Sequence, residues 1–569
     1  MKKYFTFAAL FLMMIMPSSF VFAQEVPDRV LSNSEDWRDV YSVVLYSNLI
    51  GSTSGFLVSD KHATLILNSI PTDSNVLAVS SKKIPYVVGY KNLLQGKGYT
   101  AEEWVFDNVN LELAKKLDSI NNYIIIDDSY GYNAVAIAPY AMVTNSFVIF
   151  ADKGNYRDVD SFLGTKKIGA LVIYGNVDRE VKNTLAKYNP EIINKEGDRF
   201  LNNIEIVKKY QEIKHSKQAV LTNGEFIEQE IMSGSEPVVF IGTNNVPDAV
   251  KEYITGSDIE VGVLIGNELV GTATTIRRQL GISVFVKFAQ GARAPQGAIS
   301  QVEALDMYYL PFYSIKLEIV SIKYNKATNK LEVTLKNPEQ QAAYFIGSYG
   351  IDGPDGSKQT VGDIGAVFID GGETKTMIYD VDTIADGAIS VDVFVIYGES
   401  KGSLEKEIRL RLDVQSVRVL DECDVTLSQD ETMSFNKRSK YFGIEVENTG
   451  GVDCYVDAEL IDVIVAGQKN NFAMEGGAEL VSAGSKKTLK VKVDSLEEED
   501  LADNEKVKLR VYYGERENAL VRVKEAVFQI VFEKIDYLFY SLMIVIILLL
   551  FLVVWKKRRK KKDENKPAV

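Results

Sequence analysis

Residues Asn110–Leu117 (NLELAKKL) and Asn203–Tyr210 (NIEIVKKY) are two copies of one amphipathic pattern, 93 residues apart. Each copy is followed by a short apolar run, Tyr123–Ile126 in the first case and Gln218–Leu221 in the second. Apolar residues that recur every three or four positions are typical of a helix packed on a core, and a short β-prone run is typical of a buried strand. Because the pair recurs at a fixed spacing, we predict equivalent elements of successive structural units.

A second landmark, a strand that ends in glycine, extends the repetition to three units. It occurs as Ile84–Gly89, as Leu171–Gly175 and as Val261–Gly266, which gives a period of about 90 residues. Within each unit, short β-prone runs alternate with helical patterns. Such alternation predicts parallel strands in α/β layers, so we expect three small parallel-sheet α/β units.

The stretch from Gly197 to Gly266, at the end of the second unit and in the third, carries the motifs of a known family. Gly197-Asp198-Arg199-Phe200 matches a G-x-D-R-[YF] opening, and Glu236–Phe240 and the strand ending at Gly266 follow in the family's order. The stretch Trp37–Pro311 therefore resembles the cell-wall-binding repeat 2 family, versions of which occur in archaeal cell-surface proteins. The resemblance implies units that pack in threes around a pseudo-threefold axis and hold a surface protein on an anionic wall polymer. The first unit lacks the opening motif.

A different repeat follows between Ile315 and Glu533. Asn337 pairs with Asn448, Gly372 with Gly484, and the Tyr-Gly-Glu sequence at 397–399 with that at 513–515, at offsets of 111, 112 and 116 residues. Period-2 alternation and turn residues predict two all-β sandwiches of immunoglobulin-like type. They resemble the stalk domains of cell-surface proteins.

The chain has two cysteines, Cys423 and Cys454, both in the second predicted sandwich. We predict that they form a structural disulfide. A metal site is the alternative, but it needs more ligands nearby, and the two histidines of the chain do not have a ligand-like spacing. We predict no metal and no cofactor.

The two ends of the chain suggest an exported membrane protein. Residues 1–23 have the charged, apolar and small-residue regions of a cleavable signal peptide. Tyr537–Trp555 is uncharged and is followed by a basic block from Lys556, which predicts a transmembrane helix in contact with membrane lipid and a basic cytoplasmic tail. These features predict a single-pass protein of the cell membrane, with a large extracellular N-terminal part and a short cytoplasmic C-terminal tail.

The predicted organisation has eight parts. They are a signal peptide (1–23), α/β repeats (37–120, 121–215 and 216–311), β-sandwiches (315–412 and 413–533), a transmembrane helix (537–555) and a tail (556–569).

Two neighbouring stretches of the third unit are candidate ligand sites. The loop from Gly266 to Gly271 could present backbone N–H groups to an anion, although it is also explained as a tight turn. Arg277, Arg278, Lys287 and Arg293 are basic residues close together in an acidic chain, and they could face an anionic glycan. The alternative is that they pair with nearby carboxylates.

Asp127 and Asp128 follow an apolar strand, where α/β enzymes often place carboxylates. They could perform acid-base chemistry, or they could cap the next helix, as Thr222 and Asn223 would at the equivalent place in the third unit.

The net charge of −14 disfavours nucleic acid as a partner. We predict a noncatalytic protein whose α/β repeats bind an anionic envelope polymer, a glycan or a neighbouring surface-layer protein. The alternative is a surface enzyme that acts on a phosphorylated or glycan substrate at the α/β repeats, through Asp127 and Asp128 or through the Gly266 loop.

Overall fold

The computed structural model describes residues 26–288, 291–292, 303–304, 306–427, 432–532 and 545–555. It has three small parallel α/β units followed by a large β-rich region. The predicted signal peptide, the predicted cytoplasmic tail and Arg293 lie outside the described residues.

The first unit is a four-stranded parallel sheet in the order β2-β1-β3-β4. Its elements are β1 (Arg29–Asn33), α1 (Trp37–Leu49), β2 (Thr53–Phe56), α2 (His62–Leu65), β3 (Asn75–Ser81), α3 (Tyr90–Gly96) and β4 (Thr100–Phe106). Helix α4 (Val109–Lys116) leads to the second unit.

The second unit has the same strand order, β6-β5-β7-β8, again with all strands parallel. Its elements are β5 (Asn122–Ile126), α5 (Tyr132–Val143), β6 (Ser146–Phe150), α6 (Tyr156–Leu163), β7 (Ala170–Tyr174), α7 (Arg179–Leu185) and β8 (Glu191–Ile193). Helix α8 (Arg199–Ile213) leads to the third unit.

The third unit repeats this order as β11-β9-β12-β13. Its elements are β9 (Gln218–Thr222), β10 (Phe226–Ile227), α9 (Gln229–Met232), β11 (Val238–Phe240), α10 (Asp248–Gly256), β12 (Val261–Ile265), a 3₁₀ helix (Asn267–Thr272), α11 (Ala273–Leu280) and β13 (Ser283–Lys287). Two short pairings follow, between β14 (Gly291–Ala292) and β15 (Glu303–Ala304), and between β10 and β16 (Tyr308–Tyr309).

The three units close on one another around equivalent helices. Each pair among α1, α5 and α9, the helices after the first strands, is in contact, and one hydrophobic core runs through all three units. In each unit, the strand that follows this helix (β2, β6 and β11) ends in a phenylalanine that contacts an aromatic ring from another part of the α/β units. These contacts are Phe56 with Tyr308, Phe150 with Trp37, and Phe240 with Tyr132.

The repeated asparagines of α4 and α8 explain the first sequence repeat. Asn203 donates to the carbonyl of Val238 at 2.9 Å and accepts from the amide of Phe240 at 2.8 Å. Asn110 makes the same pair of bonds with Val148 and Phe150. One amide side chain thus satisfies two backbone groups at a buried strand of the next unit, and this contact requires asparagine at both positions.

We expect Asn203→Ala to lower the free energy of unfolding by about 2–3 kcal/mol, because it leaves the buried Val238 carbonyl and Phe240 amide unpaired. Chemical denaturation measures the change. Asn183→Ala, at an exposed position of α7, is the control and should change stability by less than about 0.5 kcal/mol. Equal effects of the two substitutions would contradict this role for Asn203.

One strand of the first unit was predicted in the wrong place. Ile84–Gly89 is a loop, and the third strand is β3 at Asn75–Ser81. The loop has apolar residues, but Ile84 and Val88 are exposed, so its composition does not reflect burial in a sheet. The sheet also begins at Arg29, before the predicted start at residue 37.

The β-rich region consists of two domains, each with its own hydrophobic core. Strands of the first are β17 (Glu318–Asn325), β18 (Lys330–Lys336), β19 (Ala343–Asp352), β20 (Lys358–Gly362), β21 (Val367–Ile369), β22 (Thr374–Asp380), β23 (Ile389–Gly398) and β24 (Leu404–Val417). Their order is β20-β19-β23-β24-β17-β18-β22, with β21 paired to β19.

The second β domain has the order β25-β27-β26-β33-β32-β28-β29, with β30 paired to β28 and β31 to β27. Its strands are β25 (Val425–Leu427), β26 (Thr432–Asn436), β27 (Tyr441–Asn448), β28 (Cys454–Val465), β29 (Gln468–Ala473), β30 (Glu479–Val481), β31 (Lys486–Lys492), β32 (Val507–Gly514) and β33 (Arg522–Phe532). The predicted disulfide is confirmed: Cys423 and Cys454 are joined, with their Cα atoms 5.5 Å apart.

The prediction of a C-terminal transmembrane helix is wrong, and with it the predicted single-pass localisation. Across the described parts of the chain, no helix combines the length and the apolar character needed to cross a bilayer. Within the predicted span, the described helical residues are 545–555. Residues 537–544 lie outside the described residues.

Candidate functional site

Arg277 and Arg278 lie in the last turn of α11, and both are exposed. Among the described residues, neither guanidinium forms an ion pair. With Thr274, Gly281, Ile282 and Ser283 they line an open cavity of about 460 Å³. The exposed ring of Phe285 follows on the same face of the edge strand β13 as Ser283. We refer to the cavity and this ring as the α11 pocket.

The other predicted basic residue within the described part of the chain, Lys287, is not free. Its ammonium lies 2.7 Å from Glu228 and 3.0 Å from Glu230, at the start of α9. The Glu228 carboxylate is buried and also caps α9. The alternative interpretation, pairing with carboxylates, therefore applies to Lys287, whereas Arg277 and Arg278 have no such pairing within the described part of the chain.

The Gly266 loop has the geometry of a turn with a carboxylate against it. Gly266 has φ +141°, and a Cβ atom there would come within 2.9 Å of Glu268 Oε1. Glu268 in turn accepts a hydrogen bond from Asn223 at 3.0 Å. The negative charge of Glu268 beside the loop opposes binding of an anionic ligand. Gly271, at the other end of the loop, has open space around it but no side chain that could offset this charge.

Asp127 and Asp128 have different surroundings. Asp127 accepts hydrogen bonds from the Ser129 amide at 3.1 Å and from Asn133 Nδ2 at 2.6 Å, while burial raises the pKa of its carboxyl. Asp128 pairs with Arg38 of the first unit. One carboxylate thus organises the turn before α5, and the other joins two units.

The chain itself covers the edge of the sheets where these carboxylates lie. The Gly131 amide donates to the carbonyl of Pro311, the Leu310 amide donates to the carbonyl of Glu225, and the Tyr313 amide donates to Tyr132 Oη. Leu310 is buried over Gly131, where a Cβ atom would come within 2.4 Å of it. The segment between the α/β units and the first β domain therefore occupies this edge.

The most elaborate polar site of the α/β units is a contact with the first β domain, and the sequence analysis did not find it. Asp198 caps α8 through the amides of Phe200 and Leu201, and its second oxygen accepts from the hydroxyls of Ser400 and Ser403. We call this contact, together with the ion pairs of Arg199, the Arg199 joint.

Arg199 is only 5% exposed. Its Nε lies 3.0 Å from Glu399, its Nη2 pairs with Glu405, and its guanidinium stacks 3.8 Å from the ring centre of Tyr132. Burial disfavours the charged form, but the two carboxylates outweigh burial and raise the pKa of Arg199. A charged arginine with two carboxylates and an aromatic platform is an arrangement expected at a buried interdomain contact.

Two hydrogen bonds donated by backbone amides, one to a carbonyl and one to a side chain, also cross this joint and hold the β23–β24 turn. The Asn245 amide donates to the carbonyl of Glu405 at 3.1 Å, and the Glu407 amide donates to Asn244 Oδ1 at 2.8 Å. The motif Gly197–Phe200, identified by its resemblance to a wall-binding repeat, thus attaches the α/β units to the β domain in this chain. The repeated Tyr-Gly-Glu at 397–399 was the available signal, since Glu399 is one of the partners of Arg199.

The second β domain also touches the α/β units. Arg179, at the start of α7, lies 2.9 Å from Asp500 and 3.3 Å from Glu499. The two β domains contact each other through Arg516 with Glu332 at 3.1 Å and through Lys375 with Glu459 at 3.3 Å. Ion pairs therefore connect all three bodies.

No protein-family model matches this chain, and no curated protein does. Solved structures that match include the periplasmic chaperone SfaE, at 13% identity over 39% of this chain and 100% of that chain, with a TM-score of 0.13. Others are red sea bream transglutaminase (12% identity, 39% of this chain, 32% of that chain, TM-score 0.13) and the Salmonella enterica SafA pilin with its SafB chaperone (12%, 38%, 98%, TM-score 0.13). Similarity at these TM-scores defines no shared fold.

Proposed function

We propose that this protein binds an anionic polymer, of the kind found in cell envelopes, at the α11 pocket, and that it does so without catalysis. The observation that carries the proposal is the pair of exposed guanidinium groups of Arg277 and Arg278 beside an open cavity of about 460 Å³. Guanidinium groups bind carboxylate and phosphate in a bidentate manner. A polymer with a charge at each repeat could engage both.

The charge of the rest of the chain adds selectivity to this pocket. The protein has a net charge of −14, so a polyanion is repelled from most of its surface and attracted only where cations lack partners. The exposed Phe285 ring lies on the same face of β13 as Ser283, which lines the cavity. It supplies an apolar surface that suits a sugar ring carrying the anionic group. The resemblance of residues 37–311 to wall-binding repeats supports the same class of ligand.

The test is binding of the whole chain to a carboxylated polysaccharide such as hyaluronate and to a phosphorylated one such as phosphomannan, with neutral dextran as the reference. We expect Arg277→Ala with Arg278→Ala to weaken binding of the anionic polymers by about tenfold or more, since each charge-assisted contact contributes about 1.5–3 kcal/mol. Binding should also weaken as salt screens the charges.

The matched control is Arg438→Ala, which removes one exposed arginine from a turn of the second β domain. This substitution should leave binding unchanged. Binding that is equal in the double variant and the parent protein, or equal for dextran and the anionic polymers, would rule out the α11 pocket as the site.

A further inference from the structure

The Arg199 joint buries more carboxyl groups than cations. Glu399 and Glu405 both face Arg199, and Asp198 lies beside them, bound to the serine hydroxyls. Glu225, on the loop after β9, also interacts electrostatically with Glu405 and Arg199. In a dry contact, one guanidinium cannot neutralise several carboxylates, so at least one of them is held more easily as the neutral acid.

The pKa values of two carboxyl groups at this joint are raised, as expected where buried carboxyl groups outnumber cations. Burial raises the pKa of Glu399 to about 7, Arg199 opposes this shift, and Glu405 adds to it. Burial and the charge of Glu405 likewise raise the pKa of Glu225 to about 7. Two carboxyl groups at this joint therefore take up protons close to neutral pH.

The contact between the two β domains repeats the arrangement independently. The buried Lys375 ammonium lies 3.2 Å from Glu373 and 3.3 Å from Glu459, and Asp457 is close by. Burial and the neighbouring Glu373 raise the pKa of Asp457 to about 7, although Lys375 opposes the shift. Again a single cation serves several buried carboxyl groups at a contact between domains.

We propose that the contacts among the α/β units and the two β domains form a proton-dependent clamp, which is closed at acidic pH and loosens as the pH rises through neutrality. The groups that face the titrating carboxyls at the Arg199 joint are Arg199, Asp198, Glu405, Glu268, Lys406, Tyr130, Tyr132 and Tyr313. Those at the contact between the β domains are Lys375, Glu373, Glu459, Asp370 and Tyr512.

The direction of the effect follows from proton binding. A carboxyl group whose pKa is higher in the closed contact than in the open one binds more protons when closed. Its contribution to closure is therefore complete below its ordinary pKa, 4.5 for glutamate, and is lost as the pH rises through about 7. For one such group, the closing equilibrium weakens by about 30-fold between pH 5.5 and pH 8.5.

The test is hydrogen exchange of the whole chain from pH 5.5 to pH 8.5, corrected for the intrinsic exchange rate, with small-angle scattering on the same samples. The amides of Asn245 and Glu407 report directly on the Arg199 joint, because their acceptors lie across it. We expect their protection to fall by about 30-fold or more over this range, together with an increase in the radius of gyration. Amides whose hydrogen bonds lie within the β23–β24 ladder should keep their exchange protection.

Two variants distinguish the clamp from a general effect of pH. Glu399→Gln imitates the protonated acid and should keep more protection at pH 8.5 than the parent protein, with the remaining fall due to Glu225. Asp392→Asn removes an exposed carboxylate of the same β domain and should behave like the parent protein. Unchanged protection and an unchanged radius between pH 5.5 and pH 8.5 would overturn the proposal. Identical pH profiles for Glu399→Gln and the parent protein would also overturn it, because the response would then come from other groups.

Discussion

Replacing Arg199 by alanine should lower the free energy of unfolding by about 3–5 kcal/mol, a large effect for one side chain. The substitution leaves Glu399 and Glu405 buried without their shared cation and removes the stack on Tyr132. Urea denaturation followed by hydrogen exchange of residues 399–407 measures both the global and the local change. The loss should be greater at pH 8 than at pH 6, because at the lower pH the carboxyl of Glu399 can be protonated.

A triple variant distinguishes the loss of the ion-pair attraction from the cost of leaving the Glu399 and Glu405 carboxylates buried without a cation. Arg199→Met with Glu399→Gln and Glu405→Gln removes the ion pairs without leaving either partner of Arg199 as a buried charge, so it should recover much of the lost stability. Arg157→Ala, at an exposed position of the second unit, is the control for arginine removal in general. A loss below about 1 kcal/mol for Arg199→Ala would show that the joint does not hold the α/β units and the β domain together.

The three α/β units were predictable because their repetition reflects contacts that must recur. Asn110 and Asn203 each bind two backbone groups of a buried strand. Their amide supplies a donor and an acceptor in one planar group, and glutamine, the other amide side chain, is longer. The same reasoning placed one strand wrongly. The loop Ile84–Gly89 has the composition of a strand, but it lies over the sheet edge and binds Asn33 through the backbone of Val87.

The candidate site was predictable only in part, because pairing between distant residues is not written in local sequence. Arg277, Arg278 and Lys287 looked equivalent, yet Glu228 and Glu230 lie about sixty residues before Lys287 and meet it across the sheet. In the same way, nothing near Arg199 indicated that its partners lie two hundred residues later, Glu399 in the turn after β23 and Glu405 at the start of β24. Local pattern identified the elements, and tertiary structure decided which charges are free.

The order of domains along the chain also gave no indication of their contacts. Two sandwiches after three α/β units suggest an extended series, but Arg179 reaches Asp500 of the last β domain, so this domain returns to the second unit. The acidic turn at Glu497–Asp500 could have been noticed as a partner for a basic side chain. Its position beside α7 depends on the packing of the two β domains through Lys375 and Arg516.

Removing the disulfide should have the second large effect, a loss of about 3–4 kcal/mol from the stability of the second β domain. The bond closes a segment of 31 residues, and a crosslink of this length reduces the entropy of the unfolded chain by about this amount. Cys423 and Cys454 are both fully buried in the core of that domain, so the double alanine variant also leaves a small cavity. Thermal unfolding of the parent protein with and without reductant, beside the double variant, measures the loss.

The expected result is local as well as large. Hydrogen-exchange protection should fall first in strands β25–β33. The backbone groups bound by Asn110 and Asn203 in the α/β units should stay protected, because Cys423 and Cys454 touch only the core of the second β domain. Reduction should also weaken the contact of Glu459 with Lys375, since Glu459 lies on β28, the strand that begins at Cys454. If reduction lowered the stability of the α/β units as much as that of the second β domain, the three bodies would unfold as one cooperative unit. In that case the ionic contacts between them would be stronger than the core of the last domain.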